Sequence, residues 1–240
     1  KYIFKKIFKK ADKIIVNSFE FQKKFKKKFN IEPECIYNPL NKNEILKKSK
    51  LGINLNFFKN NKKLKILNIG RFTDQKDHHT LLEAIKILKK KYKLNFILLI
   101  MGRGENRNNI QNFINKNNLN FNVKVIGFKK NPYKYIRHCN LFVLSSRFEG
   151  LPNVLLEAIT LKKFVISSNC PTGPSEILNN GKGGLLFKTG RPNDLAKKIN
   201  YYHNNKKKLK KKNDFAYNNL NRFDLNTNLR KYFKVITDLF

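Results

Sequence analysis

The stretch LKILNIGRFTDQKDHHTLLEAIKILKKKYKLNFILLIM, Leu64–Met101, changes its hydrophobic period twice. LKILNIG is a short β-type run that stops at Gly70. DHHTLLEAIKILKKKY then places Leu81, Leu82, Ile85 and Leu88 at helical spacing. LNFILLIMG is an almost unbroken apolar run, as expected of a strand covered on both faces. Strand, helix and strand in this order make a βαβ unit, which requires parallel strands.

Reading outward, the same alternation continues. NRNNIQNFINKN reads as a helix, NVKVIG as a strand, NPYKYIRHC as a helix and LFVLSS as a strand. PNVLLEAITL (helix), KFVISS (strand), GPSEILN (short helix) and GGLLF (strand) follow. The fold class expected is α/β: a Rossmann-like domain over 64–190, with a parallel sheet between helices and a helical tail over 191–240. Upstream, ADKIIVNS reads as one more strand. FEFQKKFKKKF reads as a helix with Phe21, Phe25 and Phe29 on one stripe, expected to be core. Residues 1–37 are therefore expected to be the remnant of a second domain. The polar stretch 38–63 is expected to be a hinge or linker.

In doubly wound sheets, ligands bind beyond the carboxyl ends of the strands. Two such loops carry chemistry. After LFVLSS comes RFEGLPNVLLEA, which spends two of the chain's 16 acids, Glu149 and Glu157, around a helix start. Pro152 suits the first helical turn. The N–H groups of Gly150, Leu151, Asn153 and Val154 are then unpaired donors of the kind that bind phosphate. Gly150 admits close approach of a ligand. After LKILNIG, Gly70 is followed by Arg71 and Lys76, one a bidentate phosphate grip and the other a point charge. Cations facing a helix start suit a diphosphate, and neighbouring carboxylates accept from sugar hydroxyls. The combination points to a nucleotide-sugar, with Glu149 and Glu157 lining one crevice from different levels. His78 and His79 read as surface or helix-cap residues, and Cys139 and Cys170 as buried thiols.

NIGRFTDQKDHHTLLEAIKIL, NPYKYIRHCNLFVLSSRFEGLPNVLLEAI and SSNCPTGPSEILNNGKGGLLF together resemble the carboxyl-terminal half of family-4 retaining glycosyltransferases of the GT-B fold. The resemblance covers about residues 11–240. It implies that Arg71 and Lys76 bind the donor diphosphate, that Glu149 hydrogen-bonds the transferred sugar, and that Glu157 binds the ribose. It further implies that the N–H groups from Gly150 onward cover the distal phosphate and that Gly127 and Phe128 lie near the base. The subfamily it suggests uses UDP-hexoses or UDP-N-acetylhexosamines to extend glycans or lipid-linked acceptors. It implies no metal and no cofactor besides the donor, because the cations neutralise the diphosphate. The amino-terminal domain of that family, which supplies a glycine-rich phosphate loop, the acceptor site and a catalytic His, is expected to be almost entirely missing from this sequence, with residues 1–37 as its remnant. The chain accordingly reads as a fragment, in keeping with a first residue that is not Met.

Other classes remain open on the residues alone: an epimerase-like enzyme of the same fold, or a fragment that binds nucleotide without catalysis. The 52 Lys+Arg against 16 Asp+Glu give a net charge of +36. Runs such as NNKKKLKKKN mark this as lysine loading of solvated faces, so no nucleic acid partner is expected. KYIFKKIFKK sets Ile3, Phe4, Ile7 and Phe8 against lysines. That pattern fits either an anionic membrane surface or packing against another domain. Three cysteines without CxxC spacing argue against a disulfide framework and a structural zinc site and suit a reducing cytosol. A cytoplasmic location, with peripheral attachment to the inner face of the membrane, is the expectation.

Overall fold

The computed structural model describes residues 2–52, 56–58 and 62–239. The amino-terminal part holds α1 (Tyr2–Phe8), β1 (Ile15–Val16), α2 (Phe19–Phe29), β2 (Glu34–Cys35) and α3 (Lys42–Ser49). The alternating region follows as β3 (Leu64–Ile69), α4 (His78–Lys90), β4 (Phe96–Met101), α5 (Arg107–Lys116), β5 (Val123–Ile126), α6 (Tyr133–His138) and β6 (Leu141–Leu144). It continues through α7 (Asn153–Thr160), β7 (Phe164–Ser168), α8 (Pro174–Ile177) and β8 (Leu185–Phe187). The chain closes with α9 (Pro192–Asn204), α10 (Lys206–Asn218) and α11 (Leu225–Thr237). The strands and helices expected from periodicity are all present, including the helical tail.

β3 to β8 form one parallel sheet in the order β5-β4-β3-β6-β7-β8. Side chains alternate between its faces, as the two-residue period of a strand requires. Ile66, Leu98, Val143 and Ile166 join the apolar residues of α4, α5 and α9 in one core. Leu67, Leu99, Phe142 and Val165 join those of α3, α6 and α7 in the other. All six residues of β4 are buried, which accounts for its unbroken apolar run. At about 1.5–3 kcal/mol for each fully buried large apolar side chain, these two layers dominate the favourable side of folding.

The amino-terminal residues add their own small parallel pair, Ile15 opposite Glu34 and Val16 opposite Cys35. Ser18 caps α2 by accepting from the Phe21 N–H, and Asn30 ends it in the left-handed region at φ 55°. Phe25 and Phe29 are buried as expected, whereas Phe21 is 41% exposed and only edges onto Phe25. Phe8 packs on both Phe25 and Phe29, with ring centroids 5.0 Å apart in each case. Phe4 and Ile7 are exposed, and the Ile3 side chain lies outside what the structure describes.

The expected linker 38–63 contains a helix. Asn41 caps α3 by accepting from Glu44 N–H, and Ile45 and Ser49 are buried. α3 packs on α6 and α7. One buried apolar side chain among lysines and asparagines gives too faint a period to read. Residues 53–55 and 59–61 of that stretch lie outside the described residues. The two ends of the chain meet: the Leu40 N–H donates to the Phe223 carbonyl at 2.9 Å, and Leu40 bridges Asp224 in parallel.

Candidate functional site

From β3 the chain steps outward through β4 to β5, then returns to place β6 on the other side of β3. The β3/β6 boundary is therefore the topological switch point, where the loops leaving adjacent strands part and open a crevice. Those loops are residues 70–77 and 145–152, the two singled out from sequence.

Across this gap Lys76 Nζ meets Glu149 Oε1 at 2.5 Å, with side chains only 16% and 8% exposed. The Ser146 hydroxyl donates to the same carboxylate oxygen at 2.6 Å. Gly70 makes room for the lysine, since an added Cβ would lie 3.2 Å from Lys76 Cγ. Further bonds stitch the loops together. The Ser145 hydroxyl donates to the Lys76 carbonyl at 2.8 Å, Arg147 N–H to the Gln75 carbonyl at 2.8 Å, and Gln75 Nε2 to the Phe148 carbonyl at 3.0 Å. Arg71 is exposed, 3.5 Å from Gln75 Oε1, and has no carboxylate partner among the described residues. Of the two expected cations, Arg71 thus has no carboxylate partner among the described residues, and Lys76 is balanced by Glu149.

Behind Glu149 the start of α7 presents its first-turn N–H groups without a side-chain cap. The loop after β7 buttresses this start. Thr172 Oγ1 donates to the Glu149 carbonyl and to the Pro171 carbonyl. Gly173, at φ 83°, would set an added Cβ 2.1 Å from the Gly150 carbonyl oxygen. Only a glycine tolerates both conditions. Leu151 is buried, so it offers the site its backbone alone. A string of amides crosses the same helix start: Asn17 Nδ2 donates to Asn38 Oδ1 at 3.3 Å, and Asn38 Nδ2 to Asn153 Oδ1 at 2.9 Å. Val154 is half-buried one residue further on.

Glu157 does not pair with any cation among the described residues. It lines a separate hollow of about 200 Å³ with Asn38, Glu44, Tyr133 and Asn153, between α3, α6 and α7. Glu149 is not part of that lining. Burial pushes the Glu157 carboxyl up to about 7. Tyr133 opposite is pushed up to about 12, by burial first and then by the charges of Glu157 and Glu44. Gly127 and Phe128 follow β5, two strands from β3. Gly127 borders open space, and Phe128 is exposed with the Arg103 guanidinium 5.3 Å from its ring centroid.

His78 corrects its expectation. It is 4% exposed, packs edge-on against Phe72 at 5.3 Å, and burial lowers its imidazole to about 4. Asp77, in the left-handed region at φ 45°, caps α4 and turns the chain so that the next residue points inward. His79 is exposed. Cys139 and Cys170 are buried, and burial lifts their thiols to about 12 and about 11. Sequence reading missed Ser145, Ser146, Gln75, Thr172, Gly173, Asn17 and Asn38. The serine pair directly after an apolar strand was the one signal available. No three His, Cys, Asp or Glu side chains converge as a metal site among the described residues.

The profile of the family "Glycosyl transferases group 1" matches residues 54–222. An uncharacterised glycosyltransferase of Methanocaldococcus jannaschii is 49% identical over 112 residues, 47% of this chain and 27% of that protein. The N-acetylgalactosamine-N,N'-diacetylbacillosaminyl-diphospho-undecaprenol 4-alpha-N-acetylgalactosaminyltransferase of Campylobacter jejuni is 31% identical over 198 residues, 81% of this chain and 52% of that protein. The chain thus spans about half or less of these relatives' length. Among solved structures, Anabaena HepE in complex with UDP and glucose superposes with a TM-score of 0.82 at 21% identity, over 95% of this chain and 64% of that one. That likeness shows a common GT-B-type architecture. With the profile covering most of the chain, and both crevice loops inside the matched span, the protein belongs to the group 1 glycosyl transferases.

Proposed function

We propose that this chain is the donor-binding half of a retaining, family-4-type glycosyltransferase that moves a sugar from a nucleoside diphosphate sugar to a glycan or lipid-linked acceptor. The observation that carries the reading is the Lys76–Glu149 pair at the switch point beside an uncapped helix start. Arg71, Lys76 and the α7 N–H groups hold the diphosphate. Negative charge grows on that group as the glycosidic bond breaks, so donors fixed in advance favour the transition state over the bound substrate. No metal ion enters this scheme. Lys76 and Ser146 both address Glu149 Oε1, which leaves Oε2 to accept from a hydroxyl of the transferred sugar. β5 lies two strands from β3, about 10 Å at ordinary strand spacing. That reach suits a base near Gly127 and Phe128, with the ribose hydroxyls at Glu157. The named activity of the Campylobacter relative and the UDP-and-glucose complex of HepE support a UDP-hexose or UDP-N-acetylhexosamine donor.

Phe4 and Ile7 stand exposed on α1 among lysines, which supports peripheral attachment to an anionic cytoplasmic membrane face. Among the described residues no helix is long and apolar enough to cross a membrane. Calorimetric titration with UDP, GDP and ADP tests the donor reading. One nucleotide should bind saturably, and Arg71→Ala and Glu157→Ala should each weaken it about tenfold, a loss of about 1.4 kcal/mol. Binding that neither substitution touches would remove the crevice from consideration.

A further inference from the structure

Glu176 belongs to α8, a helix of four residues, too short to be fixed by its own hydrogen bonds. Distant parts of the chain fix it at both ends. The two carboxylate oxygens of Glu176 take the N–H groups that open α2: Phe19 N–H donates to Oε1 and Glu20 N–H to Oε2, each at 3.0 Å. The Tyr37 hydroxyl donates to Oε1 at 2.6 Å. A carboxylate at a helix start faces the positive end of the dipole, and bonds to it are about twice as strong as neutral ones. At the end of α8 the Arg222 guanidinium donates to the Glu176 carbonyl at 2.6 Å and to the Ile177 carbonyl at 2.9 Å. These are acceptors of the kind that a helix end leaves open.

What α8 carries with it is the brace of the crevice. Gly173 immediately precedes α8, and an added Cβ there would lie 2.1 Å from the Gly150 carbonyl oxygen. The brace and the start of α7 therefore meet backbone to backbone, and so close a contact passes displacement on. Thr172, one residue earlier, donates to the Glu149 carbonyl. The entry of α2 leans on the same place directly: an added Cβ at Gly150 would meet Asn17 Oδ1 at 3.4 Å. The Gly173 N–H in turn faces the Glu20 carboxylate. Each of the two helix starts is thus met by an acid from the other helix.

We propose that Glu176 is a positioning residue of the donor site. By tying α8 to the opening of α2 and to Tyr37, it sets where the 172–173 brace holds Glu149 and the start of α7. As a statement about donor binding this rests on the function proposed above; the geometric link does not.

The test compares two losses of capping on one helix. Glu176→Gln keeps the size of the side chain but replaces one acceptor oxygen with an amide. Ser18→Ala removes the other α2 cap, the bond from the Phe21 N–H, and spares the bonds to Glu176. The amide NMR shifts of Gly150, Leu151, Asn153 and Val154 are followed in isotope-labelled protein, and UDP affinity is measured by calorimetry. In Glu176→Gln the shifts should move and UDP affinity should fall about fivefold, because a slightly misplaced binding group loses much of its effect. In Ser18→Ala both should stay at wild-type values. Tyr37→Phe, which removes one donor and keeps the ring, should move the same amides less, and it decides the matter if Glu176→Gln does not fold. Amide shifts that stay in place when these bonds are lost, or that move as far in Ser18→Ala, would overturn the proposal. So would an unchanged UDP affinity in a protein whose wild type binds UDP. A wild-type chain that binds no UDP would instead count against the donor reading, and the amide shifts would still decide the link from Glu176.

Discussion

Glu149 and Glu157 are the same residue type eight positions apart, and the structure treats them in opposite ways. Glu149 sits in a loop where Lys76 and Ser146 both address one of its oxygens and Thr172 and Gly173 brace its backbone. Glu157 sits on a regular helix turn, has no cation partner among the described residues, and meets burial alone, which lifts its carboxyl to about 7. One carboxylate is held by a lysine from the loop after β3 and a serine of its own loop, on a backbone braced by the loop after β7. The other is held by the helix that carries it, and desolvation raises its hold on a proton. A group fixed by partners can orient a hydroxyl. A group with a displaced pKa can change charge when a ligand arrives.

The strongest way to break the contrast is at the brace. Gly173→Ala must resolve a Cβ 2.1 Å from a carbonyl oxygen at a left-handed φ, and should cost about 4 kcal/mol. Urea unfolding measures this, and the Glu157 titration followed by carboxyl NMR should not move. A neutral result would mean that the Glu149 loop needs no support. Next, Lys76→Met leaves Glu149 almost buried without its cation and should cost about 3 kcal/mol. The double variant with Glu149→Gln should recover most of that, which a double-mutant cycle reads directly.

Glu157→Gln should act in the other direction. The folded pKa of about 7 lies above the reference 4.5. Between those values the folded chain holds a proton that the unfolded chain has lost, so stability falls as pH rises through the window. Removing the acid should therefore stabilise the fold by about 1–3 kcal/mol near pH 8 and leave it unchanged near pH 4. A pH series of thermal melts checks the sign. Smallest in stability is Arg71→Ala: an exposed side chain without an acid partner should change unfolding by less than about 0.5 kcal/mol while nucleotide binding falls.

The same contrast explains what could be read in advance. β4 was legible because burial on both faces leaves nothing but apolar residues between Phe96 and Met101, and α4 because Leu81, Leu82, Ile85 and Leu88 repeat at helical spacing. Arg71, Lys76, Glu149 and Glu157 stood out because acids and cations at strand ends have few structural duties. The support around them was not legible. Thr172 at φ 67° and Gly173 at φ 83° matter through loops that meet only in three dimensions. Asn17 and Asn38 reach Asn153 across more than a hundred residues. α3, which walls the Glu157 hollow, was not legible either, because its single buried isoleucine was hidden among lysines. His78 was misread because a left-handed cap at Asp77 decides which way the following side chain points.

The bridge between Leu40 and Asp224 has a consequence for biosynthesis. Leu40 leaves the ribosome long before Phe223, whose carbonyl its N–H requires. At about 5–20 residues per second that gap lasts on the order of ten to forty seconds. Throughout it, Tyr37 lacks Phe223, the aromatic partner 4.7 Å away in the finished fold, and Lys42 lacks Asn221. The parallel sheet from β3 to β8 is complete in sequence by Phe187 and can assemble in that interval. The stretch 37–42 must wait for residues 221–223 to be made. Nascent chains stalled before residue 220 should therefore be cut readily by protease in the 36–42 stretch, and chains released after α11 should resist.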